Sequence, residues 1–229
     1  KGLAYAGYAD SEIVVDGKID EAAWKNGVTM TCDDVSKIVM IEGWKGARDL
    51  SADFSILWDE DYFYMYAVVT DEIFKSETPT IALWRGDSVQ FGIYHDTENA
   101  LIKGTAGDKY EEIGMALLDG KPAAYRFITQ SDKTEVGEIV IGDGIEIAIQ
   151  QDGIDTIYEF KSTWKDLFGY EYTPAVGDVL GFSALINDND GDGRRGWIEH
   201  GSGIGLSKNV NEFVMMPLLD FTKDDEIKI

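Results

Sequence analysis

The chain has 229 residues, 44% of them hydrophobic and 12% aromatic, which is enough apolar surface for the core of one large domain. Acidic residues outnumber basic ones 43 to 20, for a formal charge of -23; that field repels nucleic-acid phosphates and anionic lipid head groups, excludes both as natural partners, and draws divalent cations. The single cysteine, Cys32, forms no intramolecular disulfide, and no Cys/His cluster points to zinc.

In chain order, K-G-L-A-Y-A-G-Y-A-D lacks the charged-then-apolar profile of a signal peptide, and residues 1–11 read as a small-residue linker stub joining a longer parent chain. A short strand is expected at 12–15, and D-E-A-A-W-K-N-G at 20–27 reads as a short helix with an acidic start and a glycine stop. Period-2 alternation then dominates. Phe54, Ile56 and Trp58 share one face, as do Val89, Phe91 and Ile93, and again Ile145, Ile147 and Ile149. Residues 62–69, Y-F-Y-M-Y-A-V-V, are apolar on both faces, as a central strand requires. Further strands are expected at 110–118, 123–129, 155–160, 179–186 and 213–219, with a second short helix in S-T-W-K-D-L-F-G at 162–169. Gly/Asp-rich joints at 104–108, 142–144 and 187–193 read as turns, because alternation resumes after each. Many strands with two brief helices predict an all-β, two-sheet antiparallel β-sandwich of jelly-roll or immunoglobulin-like type over 12–220, followed by a charged linker stub at 221–229.

The motif with the most chemistry is N-D-N-D-G-D-G-R-R-G-W-I-E at 187–199. Asp188, Asp190, Asp192, Gly193 and Glu199 fit D-x-D-x-D-G-x5-E, in which alternate carboxylates and a late glutamate wrap calcium with oxygen ligands. Arg194 would add its backbone carbonyl. The flanks are not helical: V-L-G-F-S-A-L-I before the loop alternates like a strand, and the stretch after it is glycine-rich. The expectation is therefore a structural calcium turn between strands, against the plain alternative of a solvated polar turn.

With D-G-K-I-D-E-A-A-W at 16–24, I-L-W-D-E-D-Y-F-Y at 56–64 and W-R-G-D-S-V-Q-F at 84–91, the chain resembles the family 9 carbohydrate-binding modules from about residue 12 to about 220. The resemblance implies a β-sandwich from a secreted bacterial polysaccharide-degrading or cell-surface protein, with structural calcium and a sugar chain end held between two tryptophans. Trp84 matches the stacking tryptophan and Gln90 falls where a family glutamate hydrogen-bonds sugar; Arg85 is a further hydroxyl-binding candidate. The second tryptophan, expected near Ser207, is missing. Asp71 and Glu72 are a weaker second calcium candidate. Asp87, in D-S-V, reads as a backbone hydrogen-bonding residue at a strand start, and Asp16 and Asp20 as turn residues.

No catalytic constellation stands out. His95 and His200 belong to no nucleophile-base arrangement, and 43 acidic residues guarantee chance carboxylate pairs. The expected function is a non-catalytic, calcium-stabilised, extracellular carbohydrate-binding module that attaches its parent to polysaccharide. A structural or interaction domain that has lost sugar binding is the alternative. A haem-binding electron-transfer sandwich using Met65 or Met115 with His200 comes third.

Overall fold

In a computed structural model, which describes residues 2–76, 79–98 and 108–223, the alternating stretches become strands. In chain order these are β1 (Ala6–Tyr8), β2 (Met30–Cys32), β3 (Ile38–Val39), β4 (Leu50–Trp58), β5 (Tyr62–Asp71), β6 (Ser88–Tyr94), β7 (Glu111–Leu118), β8 (Lys121–Ile128), β9 (Gly137–Glu138), β10 (Ile145–Asp152), β11 (Asp155–Thr163), β12 (Val179–Asp188), β13 (Gly196–His200) and β14 (Val214–Pro217). One sheet runs β1-β4-β5-β11-β10 with β2 also on β4; the other runs β3-β13-β12-β6-β7-β8-β9 with β14 also on β12. All but Asp108 of the joint at 104–108, and residues 224–229 of the expected C-terminal stub, lie outside the described residues.

The inner faces are those the alternation marks. Phe54, Phe63, Phe91, Phe160 and Phe182 meet between the sheets, with Phe63 and Phe91 stacked at 6.0 Å and Phe160 edge-on to Phe91 at 5.0 Å. Such pairs add about 0.5–1.5 kcal/mol each beyond the area they bury. Met65 and Met115 lie in the same cluster, as core side chains, and His200 Nε2 donates to the Leu3 carbonyl at 2.8 Å. On the opposite face of β5, Tyr62, Tyr64 and Tyr66 pack under Ile13, Ile19 and Trp24.

The N-terminal expectations need three corrections. Residues 1–11 are not a linker stub throughout, because β1 pairs with β4, in parallel, and Ala4 donates to the Met215 carbonyl at 3.0 Å. The small side chains there reflect crowding: a Cβ on Gly7 would lie 2.0 Å from the Asn26 carbonyl oxygen. Residues 12–15 form no strand. They lie over the tyrosine face, where Ile13 is buried, while the amides of Asp16 and Gly17 donate to Glu159 Oε2 at 3.0 and 2.9 Å. The expected helix at 20–27 is a 3-10 turn, Ala22–Asn26, without a side-chain cap at Glu21. The second helix, α1 (Trp164–Phe168), has the expected ends: Thr163 caps it by accepting from the Asp166 amide, and Gly169 closes it with φ 74°.

Candidate metal centre and ligand cleft

Two sites arise where strand parity sends polar side chains to one place. On β5 the inward positions run Phe63, Met65, Ala67, Val69 and then Asp71; on β12 they run Phe182, Ala184, Ile186 and then Asp188. Each inward apolar row ends in an aspartate, one from each sheet. Carboxylate oxygens of Asp71, Asp188 and Asp190 come within 4.8 Å of one another.

The electrostatics of this cluster are those of a cation site. Asp71 Oδ2, Asp188 Oδ1 and Asp190 Oδ1 are buried with neither a hydrogen-bond nor an ion-pair partner, and Asp49, Asp71 and Asp188 are at most 4% exposed. Arg195 is the cation among them: its Nη1 lies 3.1 Å from Asp188 Oδ2 and 3.5 Å from Asp49 Oδ1, and it also pairs with Asp190. One guanidinium does not balance four carboxylates, so burial pushes Asp188 up to about 7 and Asp71 up to about 6. Burial and then the Asp71 charge push Asp87 up to about 9. Asp87 accepts from the amides of Lys75 and Asn189, the latter at 2.8 Å, which is the strand-start role its sequence context suggests. Unpartnered carboxylate oxygens from both sheets fit a hard, oxygen-seeking cation.

Only part of the sequence motif takes part. Asp188 and Asp190 do, and Asp71, from the expected weaker second site, joins them. Asp192 is exposed on the loop. Glu199 is directed away: opposite Leu185 on β13, it falls on the other face of the sheet from Asp188 and accepts from Trp197 Nε1 at 2.8 Å. The Arg194 side chain turns to the second site, which leaves its expected backbone-carbonyl role untouched, and the side chain of neighbouring Arg195 meets the aspartates. Glu72 faces outward, 3.8 Å from Lys45 Nζ. Asp16 accepts from the Lys18 amide at 3.0 Å, the turn role expected of it.

The second site is a cleft of about 400 Å³ on the outer face of the eight-stranded sheet, where Trp84 and Gln90 meet Glu112, Phe127, Arg194 and Lys208. Trp84 is half-buried on the 3-10 turn Thr80–Arg85, which is anchored by fully buried Leu83. Gln90 is buried: its Oε1 accepts from Asn187 Nδ2 at 2.8 Å and its Nε2 donates to Glu112 Oε1 at 3.1 Å. Tyr110 also donates to Glu112, at 2.8 Å, and Lys208 Nζ bridges both Glu112 oxygens at 2.7 and 2.8 Å. Arg85 does not line the cleft; it is exposed, with its guanidinium 5.2 Å from the Trp84 ring centre. Where a second tryptophan was expected, the chain brings Ile204, Gly205 and Lys208 instead.

Gly205 is required by close approach: a Cβ there would lie 2.3 Å from Cζ2 of buried Trp197, whose ring carries Arg194 at 4.3 Å. Gly205→Ala should therefore displace the Trp197–Arg194 stack and cost about 1–3 kcal/mol. Calorimetric melting checks this, and an unshifted melt would show that the loop yields without loss.

A family model described as carbohydrate family 9 binding domain-like matches residues 15–205. The chain belongs to that family. The family 9 domain is 25% identical over 190 residues to endo-1,4-beta-xylanase A of Thermotoga maritima, a match covering 80% of this chain and 14% of that protein. It is 26% identical over 182 residues to endo-1,4-beta-xylanase A of Thermoanaerobacterium saccharolyticum, covering 80% and 13%. It thus spans about a seventh of the length of these curated relatives. Its fold matches a family 9 carbohydrate binding module from Caldicellulosiruptor kristjanssonii solved with cellotriose, at TM-score 0.68 and 16% identity over 100% of this chain and 99% of that one. A structure of a module from that organism with glucose gives 0.65 and 17%, covering 100% of both chains.

Proposed function

We infer that this domain is a non-catalytic carbohydrate-binding module, stabilised by calcium, that attaches an extracellular or surface-displayed parent protein to polysaccharide. The observation that carries the reading is the cleft: a half-buried indole beside a ready-made polar network of Gln90, Glu112 and Lys208. Trp84 would lie against the C–H face of a pyranose, and the Lys208 ammonium and Gln90 amide would meet hydroxyls. Arg85, exposed with its guanidinium over that ring, would have to move aside for a sugar stacked on the same face. Cellotriose and glucose in the structures of related modules, and xylanases among longer relatives, support a plant-polysaccharide target.

Calcium would be held by Asp71, Asp188 and Asp190, with Asp49 at hand, and would supply charge neutralisation that ties one strand end of each sheet together. Asp71 and Asp188 end inward rows whereas the cleft lies on the outer face of one sheet, which supports a structural role for the metal.

Calorimetric titration with cello- and xylo-oligosaccharides tests the function. Trp84→Ala should weaken binding by about 5- to 30-fold, as loss of a stacked aromatic worth roughly 1–2 kcal/mol implies. The absence of a second cleft tryptophan favours a second reading, an interaction domain without sugar affinity. Failure of every oligosaccharide, neutral and acidic, to bind at millimolar concentration would overturn the first reading and leave the second.

A further inference from the structure

The cleft holds a charge that the protein does not answer. Arg194 is half-buried, with its guanidinium over the rings of Trp197 and Trp84 at 4.3 and 5.6 Å. Ring faces attract a cation but accept none of its in-plane N–H groups. Among the described residues no acceptor meets an Arg194 N–H and no carboxylate lies within ion-pair reach, and Nε is buried without a partner. Burial alone pushes its pKa down to about 10. Adjacent Arg195, in contrast, reaches three aspartates.

In a chain with 43 acidic and 20 basic residues, an unpaired, partly desolvated guanidinium is the exception. Neither neighbouring carboxylate relieves it: Glu112 is engaged by Lys208, Gln90 and Tyr110, and Glu199 accepts from Trp197 Nε1 without an ion pair to Arg194. Among the residues lining the cleft two are cationic, Arg194 and Lys208, against one carboxylate, Glu112, on a molecule of formal charge -23. A neutral sugar would give the N–H groups acceptors and leave the charge unbalanced. A carboxylate does both, because its two oxygens match the guanidinium fork.

We propose that the cleft selects an acidic sugar, a terminal uronic acid residue whose carboxylate pairs with Arg194 while its ring lies against Trp84. This deepens the sugar-binding reading and rests on it. Repulsion from the rest of the molecule acts at longer range and is screened beyond roughly 8 Å at 0.15 M salt, so selectivity is set inside the cleft.

The test is calorimetric titration at about 0.15 M salt with a glucuronate-terminated disaccharide, its neutral glucose-terminated counterpart and a 6-sulfated counterpart. The acidic sugar should bind about tenfold or more tighter than the neutral one, the gain expected of a charge-assisted pair. Arg194→Gln should bring that ratio to about one, whatever it does to affinity as a whole. Equal affinities in the unaltered protein, or a preference that survives Arg194→Gln, would overturn the proposal and leave the sugar-binding reading standing; tighter binding of the sulfated sugar would overturn the carboxylate assignment. Absence of any binding would remove both. If Arg194→Gln does not fold, the comparison of ligands on the unaltered protein decides alone.

Discussion

Removing calcium with a chelator should lower the melting temperature by about 8–16 °C relative to the protein in a thousandfold excess of calcium over its dissociation constant. The figure follows from mass action: such an excess stabilises the folded state by about 4.1 kcal/mol, and a domain of this size moves roughly 2–4 °C per kcal/mol. The folded state owns the site because Asp71 and Asp188 come from different sheets and meet only when the sandwich closes. Without metal, burial pushes Asp188 up to about 7 and Asp71 up to about 6 from ordinary values near 4. A carboxyl raised on folding binds more protons folded than unfolded, so stability from this pair is present at the acid end and is lost as pH rises from about 4 to about 7. Calcium requires the deprotonated carboxylates, so the stability it confers grows over the same window. The gap between chelated and calcium-replete melts should therefore widen from pH 5 to pH 7.5, and Asp188→Asn should abolish it. A melt at pH 7.5 that chelation leaves within about 1 °C would refute the metal site, since the mass-action term would then be negligible.

Much of the sandwich could be read from the chain because its two faces differ. Alternation at 54–58 and 145–149 marked the inward residues, and the doubly apolar stretch at 62–69 lies between two neighbours in its sheet, with aromatic packing on both sides. The first strand escaped because Ala4, Ala6 and Gly7 are small for the sake of packing, which on paper resembles a linker. The carboxylate cluster was half legible. Asp188 and Asp190 stood out by spacing, but that pattern assumes a loop that curls its late glutamate back, whereas a strand carries Glu199 to the opposite face. Asp71 and Asp49 reach the cluster through sheet pairing between segments far apart in sequence. One signal for Asp71 was available: an aspartate continuing an otherwise apolar inward row. In the cleft, Trp84 and Gln90 came from family resemblance, while Glu112, Phe127 and Lys208 sit on elements whose adjacency no local pattern encodes.

Arg126→Met should destabilise the domain by about 3–5 kcal/mol, a loss of about 6–20 °C in melting temperature. Parity directs both Arg126 on β8 and Glu111 on β7 inward, where they form a buried ion pair, 4% and 0% exposed. Arg126 also donates to the carbonyls of Leu167 at 2.9 Å and Asp166 at 2.8 Å, so it fastens α1 to the sheet. Glu111 accepts from the Thr129 hydroxyl and the Gln130 amide at 2.9 Å each. Burial raises the Glu111 pKa and the Arg126 charge opposes that rise. Methionine fills much of the arginine volume but leaves a carboxylate in the interior without its cation, and the carboxyl then takes up a proton on folding. Because the folded pKa rises further above the unfolded one, the cost of Arg126→Met should be smallest near pH 4 and grow toward neutrality. Adding Glu111→Leu removes the stranded charge and should recover most of the loss, since paired apolar replacements of buried ion pairs are often neutral. Urea unfolding of the four proteins in this cycle, at two pH values, measures each step. A single-variant cost below about 1 kcal/mol at pH 7 would show that water reaches Glu111 and that the pair is not the clamp between sheet and helix inferred from its burial.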